Sequence, residues 1–134
     1  MTDPEYELAS FVSDVSVEDV PEAVRDEAGL LVADTVGATV GGVTLPEVQS
    51  FAATVAERNP GDATIFGTAH TAAPSQAALV NGVAGTVLEL NAGHKYAAGH
   101  PVVHLFPAVV AEAEAADAAG SEFLAAFVAG YEAC

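Results

Sequence analysis

Pro74-Ser75-Gln76-Ala77-Ala78-Leu79-Val80-Asn81-Gly82-Val83-Ala84-Gly85-Thr86-Val87-Leu88-Glu89-Leu90 is the stretch that decides the fold class of this chain. Proline suits the first turn of a helix, where its missing N–H has no intrahelical acceptor to lose. From there to about Leu90 the run is too long for an ordinary strand, and Ala77, Ala78, Leu79, Val83, Ala84 and Val87 spread over every side of a helical cylinder. A helix that is apolar all round offers no face to water, so it belongs at the centre of a core with other helices around it.

Working outward, the same reading holds on both sides. Asn91 to Gly99 is a loop rich in Gly, Ala and polar groups. Two helices follow, Pro101 to about Ala119 and Ser121 to the end, the second with Ser121 at a cap position after Gly120. Upstream, Ala63 to Gly67 is short and suits an extended segment, and Asn59-Pro60-Gly61-Asp62 is a stop signal. The stop closes a helix from Pro46 to about Arg58, with Val48, Phe51, Ala52 and Val55 on one side. A longer helix starts at about Pro21 and carries Val24, Ala28, Leu31 and Thr35 at i, i+4, i+7 and i+11; Gly37, Ala38, Gly41 and Gly42 are expected to end it. A first short helix runs from Glu5 to about Val15, followed by Ser16 and Asp19 as candidate caps. No internal repeat is visible, and residues 1–134 read as a single all-α domain.

Composition sets the boundaries on function. The chain is 51% hydrophobic, too apolar for disorder, and at 134 residues it is long enough to bury about two-thirds of its unfolded surface. Its 19 Asp and Glu face only Arg25, Arg58 and Lys95, a formal net charge of −16. Three cations cannot neutralise a run of phosphates, so neither nucleic acid nor an anionic membrane surface is expected as a partner. The sole cysteine, Cys134, excludes an internal disulfide and a cysteine-based zinc site, in keeping with a reducing, cytoplasmic setting. The N-terminus is acidic where a secretory signal is basic, and no apolar run reaches a membrane span. Abundant carboxylates beside few lysines and many small residues suit a protein adapted to concentrated salt, where the repulsion is screened.

Chemistry concentrates in one place. His94, His100 and His104 lie within eleven residues of one another, beside Glu89, Lys95 and Tyr96, in the loop that interrupts the apolar helices. Glu89 and His100 facing each other across the loop would give a carboxylate and an imidazole able to exchange a proton with a substrate, and Lys95 would offer charge to an anionic one. Two other readings stay open. His100-Pro101 could simply start a helix, with His104 a satisfied histidine one turn on and Glu89 solvated. His100 and His104, at i and i+4, could share a metal, although Pro101 stands where a Glu usually follows the first His and no third ligand is evident. His70 reads as a solvent-facing loop residue, and the Gly37 to Gly42 glycines lack the strand and lysine of a phosphate-binding loop.

Several segments resemble the MmgE/PrpD family of 2-methylcitrate dehydratases, cis-aconitate decarboxylases and iminodisuccinate epimerases. Leu8 to Val12, Val20 to Val24, Leu31 to Gly37 and Gly41-Gly42 are similar to its opening helices, and Ala77 to Gly85 to its Asn-Gly helix. Leu88 to Pro101 resembles its active-site loop, and Gly130-Tyr131-Glu132 a following Gly-Tyr-Glu. The resemblance implies an all-α N-terminal portion of the family's helical domain without the α+β lid, in chains that are much longer. It implies acid–base chemistry on a small di- or tricarboxylate, by dehydration, decarboxylation or epimerisation, with no cofactor and no metal. By position Glu89 and His100 are the catalytic pair, with Lys95, His94 and Asn91 on the substrate. A homodimer, or a companion chain covering exposed helical faces, is the expected partner. The alternative is a non-catalytic fragment that acts only by binding such a companion.

Overall fold

The computed structural model describes residues 3–96 and 98–134; Met1 and Thr2 of the acidic N-terminus and Ala97 of the loop lie outside the described residues. Among the described residues there are six α-helices: α1 (Pro4–Asp14), α2 (Glu22–Val43), α3 (Pro46–Arg58), α4 (Pro74–Thr86), α5 (Pro101–Ala115) and α6 (Gly120–Ala133). A 3₁₀ turn, Val17–Asp19, joins α1 to α2, and the antiparallel pair β1 (Ala63–Thr64) and β2 (Thr71–Ala72) separates α3 from α4. The expected all-α class holds, with this two-residue ladder as its only sheet among the described residues.

α4 occupies the centre, packed against α2, α3 and α5. Its partners come close because glycines stand at the crossings. A Cβ on Gly42 of α2 would overlap the carbonyl of Ala84, and one on Gly85 would lie 2.9 Å from Val103 Cγ2 and 3.1 Å from Thr39 Oγ1. This corrects the expected end of α2: the helix runs through Gly37, Gly41 and Gly42 to Val43, and Gly42 brings its last turn against the Ala84 carbonyl of α4. It stops where Thr44 Oγ1 donates to the Gly41 carbonyl, 2.7 Å, two residues before Pro46.

Other boundaries also moved. α4 ends at Thr86 rather than Leu90, where the Thr86 hydroxyl turns back onto the carbonyls of Gly82 and Val83, at 3.0 and 3.1 Å. α5 ends at Ala115 rather than Ala119, because Asp117 adopts a left-handed φ of 51° and the Ala118 N–H returns to the Ala113 carbonyl. α6 is capped from inside, Glu122 accepting from the Ala119 N–H at 2.7 Å, which leaves Ser121 within the first turn. Ser16 and Asp19 do cap, around the 3₁₀ turn: the Ser16 hydroxyl and backbone N–H both donate to Asp19, and these bonds hold its carboxyl below the ordinary aspartate range.

A small apolar cluster of Val43, Val48 and Ala84 ties α4 to α2 and α3, and two larger clusters build the rest of the core. One joins α3, the β-pair and α4 through Ala52, Val55, Ile65, Ala77 and Val80. The other joins α2, α5 and α6 through Ala28, Val102, Phe106, Phe127 and Val128, with the rings of Phe66 and Phe106 stacked at 5.8 Å. Asn81, fully buried on α4, links the strand segment to the core: its amide donates to the Thr64 carbonyl at 2.9 Å, and its Oδ1 accepts from the Phe66 N–H at 3.0 Å. Asn81→Ala orphans both main-chain groups, each costing about 1–3 kcal/mol, so a lower denaturant midpoint at unchanged slope is expected in urea unfolding.

The chain exposes 7808 Å², against roughly 6,500 Å² for a compact monomer of its mass. Part of the excess is apolar. Leu79, Val83, Val87 and Leu90 remain open to solvent along and beyond α4, so the expectation that this helix is covered on all sides holds on three faces but not on the fourth.

Candidate functional site

The loop between α4 and α5 is built from its two ends. After α4, the Glu89 N–H donates to the Thr86 carbonyl at 2.9 Å and Glu89 takes a left-handed φ of 54°. That conformation is uncommon for a side chain with a Cβ. It turns the chain out of the helix and leaves the Glu89 side chain exposed. At the far end Pro101 opens α5, with His100 as the residue before it. Between them His94 and Gly99 form an isolated antiparallel bridge, the His94 N–H donating to the Gly99 carbonyl at 2.7 Å.

This closure brings His100 back over the start of the loop. Its Nδ1 lies 3.3 Å from the carbonyl oxygen of Asn91 and 3.2 Å from that of Ala92. The ring also rests on the Gly93 backbone, where a Cβ would lie 3.5 Å from Cε1. His94, half-buried, meets Tyr96 and Tyr131 edge-on at 6.2 and 5.9 Å. Lys95 places Nζ 5.8 Å from the centre of the Tyr96 ring, a cation–π contact on an exposed surface.

Asn91, His94, Lys95 and His100 thus lie in or next to one small loop closed by the His94–Gly99 bridge. Glu89 sits at the mouth of the same loop, but no hydrogen bond joins it to His100, whose δ-nitrogen is engaged by main-chain carbonyls instead. His104 stands one turn into α5, exposed, lining a groove with Leu79, Val83 and Thr86. Among the described residues no three His, Cys, Asp or Glu side chains converge as a metal site would require. His70 is exposed beside β2.

Tyr131 is the site neighbour to which residue-type reasoning gave no role. Its signal was present in the sequence: it follows Phe127 by one helical turn, and on α6 the two rings lie 6.5 Å apart. Behind the loop, Gly93, Leu31, Phe127 and Tyr131 border a cleft of ≈ 390 Å³ with Glu27 and Glu132 at its rim. Two carboxylates there disfavour an anionic guest, so the loop face carrying Lys95 is the one suited to an anion. The start of α5 adds the partial positive charge of a helix N-terminus on the His100 side.

Sequence comparison is consistent along almost the whole chain. A family described as the MmgE/PrpD N-terminal domain matches residues 6–134. The cis-aconitate decarboxylase-like protein oryM of Aspergillus oryzae (strain ATCC 42149 / RIB 40) is 28% identical over 134 residues, covering 94% of this chain and 28% of that protein. The chain thus spans less than a third of the length of this curated relative. No solved structure matches it.

Proposed function

The chain belongs to the MmgE/PrpD family, and on that premise we propose that it carries acid–base groups of a lyase or isomerase acting on a small di- or tricarboxylate. The reaction class is proton transfer next to a carboxylate, leading to dehydration, decarboxylation or epimerisation. His100 and Glu89 are the proton-transfer groups, and Lys95, His94 and Asn91 hold the substrate. What supports this reading is the His94–Gly99 bridge, which closes a loop that carries Lys95 and leads into His100 directly before the start of α5. Proton abstraction at such a carbon needs a positioned base and positive charge for the developing enolate, and the loop offers both. Its cysteine usage suits a reducing, cytoplasmic compartment.

cis-Aconitate is a suitable probe. Added at millimolar concentration in about 2 M KCl, it should raise the melting temperature of the wild-type chain, with a smaller shift after Lys95→Ala. No shift with cis-aconitate, citrate or malate, together with no turnover, would overturn the reading.

The high-salt condition is part of the proposal. With a net charge of −16, mutual repulsion opposes the compact state, and at about 1 M salt the Debye length shrinks to roughly 3 Å. The melting temperature is expected to climb by about 10 °C or more between dilute buffer and 2 M KCl, a few kcal/mol at the usual conversion. A flat or falling profile in calorimetry would remove salt adaptation from the account.

A second reading, in which the chain acts by docking, is favoured by one surface. No Asp, Glu, Lys or Arg occurs between Asp62 and Glu89 or between Lys95 and Glu112, the segments that form α4 and most of α5. Their shared groove, ≈ 400 Å³, is lined by Leu79, Val83, Thr86, His104 and Ala108 among others, with no carboxylate among the described residues. A second copy of this chain fits best, because two such neutral faces meet without bringing carboxylates together. Light scattering should then give twice the chain mass, and Leu79→Glu should return the monomer; a monomer at every concentration, or a dimer indifferent to that change, would refute it.

A further inference from the structure

We infer that the main-chain carbonyls of Asn91 and Ala92 fix His100 as the Nδ1–H tautomer, so that Nε2 is the atom that takes the substrate proton. The inference deepens the acid–base reading above and rests on it for the word substrate, though not for the tautomer. A neutral imidazole carries one proton on either of two nitrogens, and the partner of one nitrogen decides which. Both neighbours of Nδ1 are carbonyl oxygens, at 3.3 and 3.2 Å, and a carbonyl can only accept. A lone pair on Nδ1 would face two lone-pair-bearing oxygens, whereas an N–H there makes a three-centre hydrogen bond. The proton therefore sits on Nδ1 and the lone pair on Nε2.

Three features hold this arrangement. The His94–Gly99 bridge closes the loop so that residues 91 and 92 return beneath residue 100. Gly93 lets the ring lie against bare backbone. Pro101, at the first position of α5, restricts the conformation of His100 itself. When Nε2 accepts a proton from the carbon next to a substrate carboxylate, the C–H electron pair stays on the substrate as an enolate-like anion and the ring becomes imidazolium. The same two carbonyls then stabilise the new positive charge, the part that a carboxylate performs in many catalytic histidines. Asn91 is thus a positioning residue through its main-chain carbonyl.

The test uses the 134-residue chain with ¹⁵N-labelled histidine in high salt. Long-range proton–nitrogen spectra distinguish the two tautomers, and His100→Ala assigns the signal. The expected pattern is a protonated Nδ1 with an unprotonated Nε2; the reverse pattern, or an even mixture, would overturn the inference whatever the activity. Side-chain mimics give a second readout. An asparagine amide can occupy the place of Nδ1 and a glutamine amide that of Nε2, so His100→Asn should keep amide-exchange protection of the His94 N–H, which donates to the Gly99 carbonyl, near wild type, while His100→Gln should lose it severalfold. Equal loss in both variants would also count against the carbonyl anchor. Should the Nδ1–H tautomer be found while His100→Asn leaves any turnover unchanged, the anchor stands and the catalytic reading falls.

Discussion

Replacing His100 by alanine is expected to lower the rate of carboxylate turnover by roughly 10²–10⁴-fold, the usual worth of a positioned general acid or base. Under the proposed acid–base role the loss should fall mainly on kcat, because a group that moves a proton acts in the transition state while a proposed substrate-holding lysine acts on binding. Lys95→Ala should show the opposite split, raising KM with a smaller change in kcat. Alanine at His100 also removes the contacts to the Asn91 and Ala92 carbonyls, so His100→Asn is the needed companion: it preserves the loop and should be as inactive as alanine. A turnover within a few-fold of wild type in either variant would mean that His100 starts a helix and does no chemistry.

The second large effect concerns the core. Gly42→Ala is expected to destabilise the chain by about 3 kcal/mol or more, at the upper end of overpacking costs, because its Cβ would overlap the Ala84 backbone on α4, and neither helix can yield without moving the other. A flexible side chain would rotate aside; a carbonyl inside a helix cannot. Gly37→Ala, five residues earlier on the same helix, should do the reverse. Nothing lies within 4 Å of a Cβ at Gly37, so alanine there gains about 0.5–1 kcal/mol of helix propensity. Urea unfolding of the pair gives opposite signs if α2 and α4 cross as described. Equal, small effects would contradict the crossing.

The α2 glycines also show how sequence and structure divide the work. The sequence reading of α3, Pro46 to about Arg58, matches the helix found, since Pro46 and the Asn59-Pro60 stop act through local backbone restriction that no distant contact has to supply. Sequence reading placed the start of α4 at Pro74 and of α5 at Pro101 for the same reason. It failed at Gly37 to Gly42, where local propensity says stop and the packing of α4 says continue. Gly42 makes that approach possible, and the buried contact outweighs the fraction of a kcal/mol by which glycine disfavours a helix. The ends of α4 and α5 fall short of their expected places because left-handed turns at Glu89 and Asp117 follow them, and a left-handed turn at a residue other than glycine carries little signal in a sequence.

For the candidate site the division is similar. The sequence by itself determined which residue types stand together between α4 and α5, and with them the resemblance to a family whose match extends over residues 6–134, because order and spacing along a chain are covalent facts. Only the tertiary structure decided what each residue meets. Glu89 and His100 are eleven residues apart in a loop that spacing alone would let fold face to face. The His94–Gly99 bridge and the left-handed turn at Glu89 direct the histidine onto main-chain carbonyls and the carboxylate toward solvent. Tyr131 joins His94 from α6, a contact made by helix packing across the fold. Main-chain acceptors have no letter in a sequence, and a left-handed φ on glutamate runs against its local preference, so both became visible only once the chain was folded.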